Sequence, residues 1–249
     1  MTRYRVNLEY DGTELIGWQE NTQGPSVQSL LQDAIFKFCG ERVTVFSAGR
    51  TDAGVHAISM PAHFDLNMDQ SPDTVMRALN FYLAKKPVSV LSCEKVCDDF
   101  HTRFSCVARH YKYVVLNRNA PVVLNKNRVW WVPQKLDVES MRAAAKKLIG
   151  KHDFTSFRAA QCQAKSPIKT LDFVSITQNG DEIIFAFSAR SFLHHQVRNM
   201  VGTLVEIGMG KSYDIDEIFN AKNRSAAGIN APACGLYFVS ADYATGDDL

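Results

Sequence analysis

The sequence predicts an α+β protein of two similar halves, each a mainly antiparallel sheet flanked by helices. Three observations predict this. Period-2 alternation marks strands in both halves, and capped segments of helical period lie between them. The order strand, helix, strand, strand comes twice, with hairpin connections in place of regular βα alternation. That order argues against a doubly wound parallel sheet. A chain of 249 residues suits two halves around a shared cleft, divided at 1–104 and 105–249.

Arg5-Val6-Asn7-Leu8-Glu9-Tyr10 alternates polar with apolar residues and is broken by Asp11-Gly12-Thr13, which makes it a half-buried strand. Val27, Leu30, Leu31, Ala34, Ile35 and Phe38 fall at helical spacing behind Ser26, an N-cap candidate. Val43 to Phe46 and Ile58 to Phe64 read as strands on either side of a glycine-flanked loop, Gly49 to Gly54. Ser71-Pro72-Asp73 starts a helix, and Val88 to Val96 returns as a strand. In the second half the pattern predicts a strand at His110–Leu116, a helix at Asp137–Ile149 and a hairpin turning at Asn179-Gly180. A helix through Val197, Met200, Val201, Leu204 and Val205 and a last strand near Leu236–Asp242 complete it.

With 46% hydrophobic and 22% charged residues the chain buries a real core, which excludes disordered and collagen-like classes. It contains no run near the ~18 apolar residues of a membrane span, and its start reads as strand, so neither a secretory leader nor a membrane anchor is expected. Six scattered cysteines form no C-x-x-C pair and have no companion histidines at zinc spacing. They fit thiols in a reducing cytoplasm. The net charge of +2 hides an uneven distribution: residues 101–170 hold 14 Lys/Arg against 3 Asp/Glu, whereas both flanking stretches are acidic. So basic a segment suits a phosphate-tracking surface, or a solvated face balanced by acidic neighbours.

Arg50 and Asp52 lie two apart between Gly49 and Gly54, whose freedom permits close approach of another molecule. A nucleophilic carboxylate shielded from water needs a permanent cation, and arginine supplies one. Alternatively, Asp52 merely shapes a turn. Phe100-His101-Thr102-Arg103-Phe104 and Ala108-Arg109-His110-Tyr111-Lys112-Tyr113 interleave basic and aromatic residues, which suits phosphates and stacked bases; one tyrosine face belongs equally well to a core. Arg198 sits on a mostly apolar helix, where a distant carboxylate such as Asp52 would partner it, unless it lies on the outer face. His194 and His195, read as adjacent helix positions diverging by about 100°, are not expected to share a metal. Trp18, after Gly17, borders the first strand's exit or belongs to the core. These residues point to acid-base or covalent chemistry on nucleic acid without naming a reaction.

Together the segments resemble the tRNA pseudouridine synthase I family. The resemblance runs in order through Tyr10-Asp11-Gly12-Thr13, Gly17-Trp18-Gln19, Ser26-Val27-Gln28, the string Gly49-Arg50-Thr51-Asp52-Ala53-Gly54-Val55-His56, Phe100 to Tyr113, Phe192 to Gly202 and Gly235-Leu236-Tyr237. It implies the pseudouridine synthase fold, no cofactor or metal, and isomerisation of uridine at positions 38, 39 and 40 of the tRNA anticodon stem-loop by a cytoplasmic homodimer. It implies that Asp52 is the nucleophile, that Arg50 helps extrude the nucleotide, and that Arg198 pairs with Asp52. Tyr111 would stack on the target base, with Arg103 and Arg109 on the RNA. His110 departs from the arginine common there. Two rivals are a catalytically silent RNA-binding protein and a haloacid-dehalogenase-like phosphohydrolase suggested by Glu9-Tyr10-Asp11-Gly12-Thr13. The latter fails because Glu9 stands where its nucleophilic aspartate is needed.

Overall fold

The computed structural model describes residues 1–244. Among them no helix is long and apolar enough to cross a membrane. In chain order the elements begin with β1 (Thr2–Tyr10), α1 (Val27–Cys39), β2 (Phe46–Ser47), β3 (His56–Leu66), α2 (Pro72–Tyr82), β4 (Val88–Val96) and β5 (Cys106–Asn117). There follow β6 (Trp130–Val132), α3 (Val138–Lys146), β7 (Gly150–Asp153), β8 (Ile168–Leu171), β9 (Phe173–Asn179), β10 (Glu182–Ala189), α4 (Gln196–Gly208), α5 (Ile215–Ala221) and β11 (Leu236–Tyr243). The class is α+β, with mainly antiparallel pairing and helices beside the sheet. The chain forms two compact units, Met1–Arg109 joined by residues 237–244, and His110–Leu236. A division at 104/105 leaves the last strand with the second half; here it joins the first unit.

In the first unit the strands run in the order β4-β1-β3-β11, with β2 against β3. β1 turns Tyr4, Val6, Leu8 and Tyr10 inward, as its alternation requires. Antiparallel pairing sets Tyr4 opposite Phe64, Val6 opposite Ala62 and Leu8 opposite Met60. Leu31 and Ile35 of α1 and Val75 and Leu79 of α2 are completely buried, each stabilising the fold by roughly 1.5–3 kcal/mol relative to exposure. Ser26 caps α1 reciprocally with Ser29, and Ser71 caps α2 with Pro72 in its first turn. The expected strand at Val43–Phe46 shrinks to Phe46–Ser47. β11 meets β3 in parallel, Tyr237 beside His56. A strand's own alternation does not state its partner, which is why this pairing is invisible in the sequence.

In the second unit β10 lies between β5 and β9, with β6 parallel to β5. Ile183, Phe185, Phe187 and Ala189 of β10 are buried in alternation. The hairpin pairs Asn179 with Glu182, so its two central residues are Gly180 and Asp181, one position later than expected. Gly180 takes φ 56° while Asp181 is not in the left-handed region, matching a turn that needs positive φ only at its first central residue. The helix expected at Asp137–Ile149 ends at Lys146, with Asp137 capping it by accepting from the Glu139 and Ser140 amides. α4 starts at Gln196, and His195, in the left-handed region at φ 63°, precedes it.

Candidate active site

The residues 48–55 that join β2 to β3 carry Asp52, and a second stretch of backbone holds them from outside. The Trp18 amide donates to Thr51 O (3.0 Å), the Gly54 amide to Leu15 O (3.3 Å), and Gly17 and Asp52 form an antiparallel bridge. The Asp52 carbonyl accepts from the Val55 amide at 3.2 Å, closing a tight turn in which Gly54 adopts φ 81°. Below the loop, the hydroxyls of Tyr10 and Thr51 lie 2.8 Å apart in buried surroundings. The Gly12 amide donates to His56 Nδ1 at 3.0 Å, and the His56 ring stacks on Tyr237 at 4.8 Å.

Two glycines make this approach possible. A Cβ on Gly12 would stand 2.0 Å from Val55 O, and one on Gly17 would stand 2.5 Å from Thr51 O, with Gly17 already at φ 105°. The Tyr10–Trp18 segment therefore builds the wall against which the Asp52 loop rests. Trp18 itself is buried, so of its two readings the core one holds. Asp52 is half-buried and Arg50 exposed. A short carboxylate on a backbone fixed from both sides can be held at one point while keeping access to solvent, the condition for a nucleophile or general base.

The remaining residues singled out in the sequence divide between exposed and structural positions. Arg103 is exposed, its guanidinium 5.8 Å over the Phe104 ring. Arg109 is only 8% exposed; its Nε donates to Ala48 O and its Nη2 to Arg103 O, both at 2.8 Å. Those two donors of Arg109, expected on the RNA, are turned here to the carbonyls of Ala48 and Arg103. The Arg109 guanidinium braces the start of the Asp52 loop from within the first unit, because buried carbonyls need donors. In the second unit the half-buried Tyr111 meets Phe192 edge-on at 5.1 Å, while Tyr113 is fully buried and donates to Pro232 O at 2.7 Å. His110, where the resemblance leads one to expect arginine, has Nδ1 2.6 Å from Ser188 Oγ.

Arg198 lies on the first turns of α4, half-buried, with Nε donating to Ala231 O at 2.8 Å and its own carbonyl accepting from the Ala231 amide at 3.2 Å. Gly202 explains how that segment comes so near: a Cβ there would sit 1.8 Å from Ile229 O. The helix thus presents an arginine whose direction is set by the chain around Ala231. His194 and His195 do not diverge as adjacent helical residues do. They precede the helix, and their ring centroids are 4.1 Å apart. The left-handed backbone at His195 removes the premise of that expectation. Sequence reasoning missed Tyr10, Thr51 and Gly12 as supports of the loop; Tyr10-Asp11-Gly12-Thr13 was visible as a motif, but its target 40 residues on was not.

A family model described as tRNA pseudouridine synthase matches residues 144–244. The tRNA pseudouridine synthase A of Rhodospirillum centenum is 54% identical over 98% of this chain and 100% of its own length. That of Paramagnetospirillum magneticum is 51% identical over 98% of this chain and 96% of its own, and that of Maricaulis maris 50% over 98% and 98%. Identity at this level over 98% of the chain shows that it belongs to the tRNA pseudouridine synthase A family.

Proposed function

We propose that this protein isomerises uridine to pseudouridine in the anticodon stem-loop of tRNA, at positions 38, 39 and 40, as a cytoplasmic homodimer without cofactor. The observation that carries the reading is the full-length relationship to enzymes named for that product, at 50–54% identity. The fixed Asp52 loop supports it chemically.

In this reading the Asp52 carboxylate attacks either uracil C6 or ribose C1′, and the N1–C1′ bond breaks. The freed base turns, its C5 bonds to C1′, and the bond to Asp52 breaks, returning the carboxylate: C5 displaces it from C1′, or it is eliminated from C6. The C5 hydrogen leaves as a proton and N1 ends with one, so atoms and electrons balance with no oxidant and no co-substrate. Tyr111 stacks on the base and assists removal of the C5 proton. Arg198 is the proposed counter-charge of Asp52, and Arg50, exposed beside it in sequence, assists extrusion of the nucleotide, whose unstacking costs a few kcal/mol. Arg103 contacts phosphate.

The test is incubation of an unmodified tRNA transcript with the purified protein alone, followed by pseudouridine mapping. Product at positions 38–40 is expected. Asp52→Ala should retain tRNA affinity within a few fold and form no product. Full product formation by that variant would remove Asp52 from its role, and tRNA binding without product by the unaltered protein would favour a silent RNA-binding protein. Sedimentation at micromolar concentration should give the mass of two chains.

A further inference from the structure

The turn from Phe100 to Ser105 is fixed in detail, yet presents large rings to water. The Phe104 and Ser105 amides both donate to His101 O (3.1 and 2.9 Å). The His101 amide donates to Ser105 Oγ (3.0 Å) and the Arg103 amide to His101 Nδ1 (3.1 Å). Thr102, fully buried, anchors the turn from below. Its hydroxyl donates to Phe46 O at 3.1 Å and lies 2.8 Å from His63 Nδ1, while its carbonyl accepts from the Tyr243 hydroxyl at 2.9 Å. On this base Phe104 is 72% exposed and Phe46 45% exposed. The His101 ring lies between them, 4.4 Å from Phe104 and 5.3 Å from Phe46.

We propose that Phe104, His101 and Phe46 form a stacking platform for one unpaired nucleobase of the RNA substrate, with Arg103 directed to the adjoining phosphate. The proposal rests on the reading of the protein as a tRNA-modifying enzyme, and names an RNA-binding surface of the first unit beside the strand that leads into the Asp52 loop. Three features select a base over a protein surface. The exposed apolar area is two rings rather than a broad patch, and a π-face serves every base alike. The turn itself carries an exposed cation, Arg103, with its guanidinium 5.8 Å over the Phe104 ring. The backbone that carries Phe104 and His101 is fixed before any ligand arrives, which lowers the entropy cost of binding. Burial holds His101 below the usual imidazole range and Arg3 adds to that, so it meets the base as a neutral ring. Phe81, as exposed as Phe104, lacks this construction; its ring contact is the edge of Tyr82, its neighbour in sequence.

The experiment measures binding of a fluorescent anticodon stem-loop RNA to the full chain, alongside product mapping for the unaltered protein. Phe104→Ala should weaken binding about tenfold, the usual loss for one stacked base. Phe104→Leu, which keeps the bulk and loses the π-face, should fall with it, whereas Phe104→Trp should stay within about threefold and have its emission quenched by RNA. Thermal unfolding of all three should match the unaltered protein, since this side chain is mostly in water. Unchanged affinity in the Ala and Leu variants overturns the platform; so does a change from dimer to monomer mass with affinity unchanged, which would make this face a protein interface. Quenching and loss of affinity without any pseudouridine in the unaltered protein would keep the platform and remove the isomerase reading.

Discussion

The Asp52 loop and the Arg198 turn of α4 solve the same problem in opposite ways. Asp52 has a short side chain, so its direction follows from the backbone. That backbone is held by main-chain bonds from Leu15, Gly17 and Trp18. Arg198 has a long side chain, and fixing its Cα would leave its guanidinium free to swing. There the side chain itself is held, through Nε to Ala231 O. Both arrangements depend on glycine, Gly12 and Gly17 in one and Gly202 in the other, because in each case two stretches of backbone meet where no Cβ fits. The lesson is that a functional group is immobilised at whichever end of it is flexible.

The largest effects should come from those glycines, and they should differ in kind. Gly12→Ala forces the backbone at Val55 to move, so both stability and catalysis should fall, the former by about 3 kcal/mol in denaturant titration. Gly202→Ala drives the chain at Ile229 off α4, with a comparable loss of stability. Its activity should be partly recovered by any substitution that lets Ala231 return, whereas loss at Gly12 should not respond to changes near Ala231. Equal recovery in both would break the contrast between backbone and side-chain fixation.

The two arginines of the basic segment sharpen it next. Arg109→Ala removes the bonds to the buried Ala48 carbonyl and the part-buried Arg103 carbonyl, which should cost about 1.5–3 kcal/mol of stability and leave the salt dependence of RNA affinity unaltered. Arg103→Ala should do the reverse, leaving the midpoint of unfolding in place and lowering the slope of log affinity against log salt by about 1. A steep change in that slope for Arg109→Ala would return Arg109 to the RNA surface. Smaller again, Tyr10→Phe leaves the buried Thr51 hydroxyl without its 2.8 Å partner and should cost about 1–2 kcal/mol.

The gentlest probe is pH. Burial lowers His63 from the ordinary imidazole value to about 4, with nearby His101 acting in the same direction. Because the folded value lies below the unfolded one near 6.5, the unfolded chain binds the proton first. Stability is therefore fully present above pH ~6.5 and declines as pH falls toward 4, by roughly 1–3 kcal/mol from this group. His63→Gln, compared with the unaltered protein between pH 7 and 4.5, should show a flatter decline. Parallel curves would assign the acid sensitivity to other groups.

Much of this was legible because it is local. Ser26 and Ser71 read as caps and are caps, since a side chain reaching three residues along the chain needs no tertiary partner; Asp137, read as the first helical residue, proves to be the cap of its helix. The alternation of β1 sets which residues point inward whatever lies beside it. The hairpin was recognisable from Asn179-Gly180, but its centre moved one residue because register answers to the packed faces of both strands as well as to the turn. A basic residue among aromatics, such as Arg109, reads the same in sequence whether its guanidinium meets water or two carbonyls. His194 and His195 were placed on the helix because apolar periodicity does not register the left-handed residue that starts it.

By itself, then, the sequence determined the class of fold, the caps, the inward faces and the one string, Gly49 to His56, specific enough to direct attention to Asp52. Tertiary structure alone decided which distant backbone holds that string, that β11 returns to β3, that Arg109 is a brace, and that Phe104 stands in water on a buried floor. The division follows the range of the forces. Capping, alternation and turn geometry act over a few residues and are written where they act. Hydrogen bonds such as Trp18 to Thr51 and close approaches such as Gly12 to Val55 join residues more than 30 apart, and exist only once the core has brought them together.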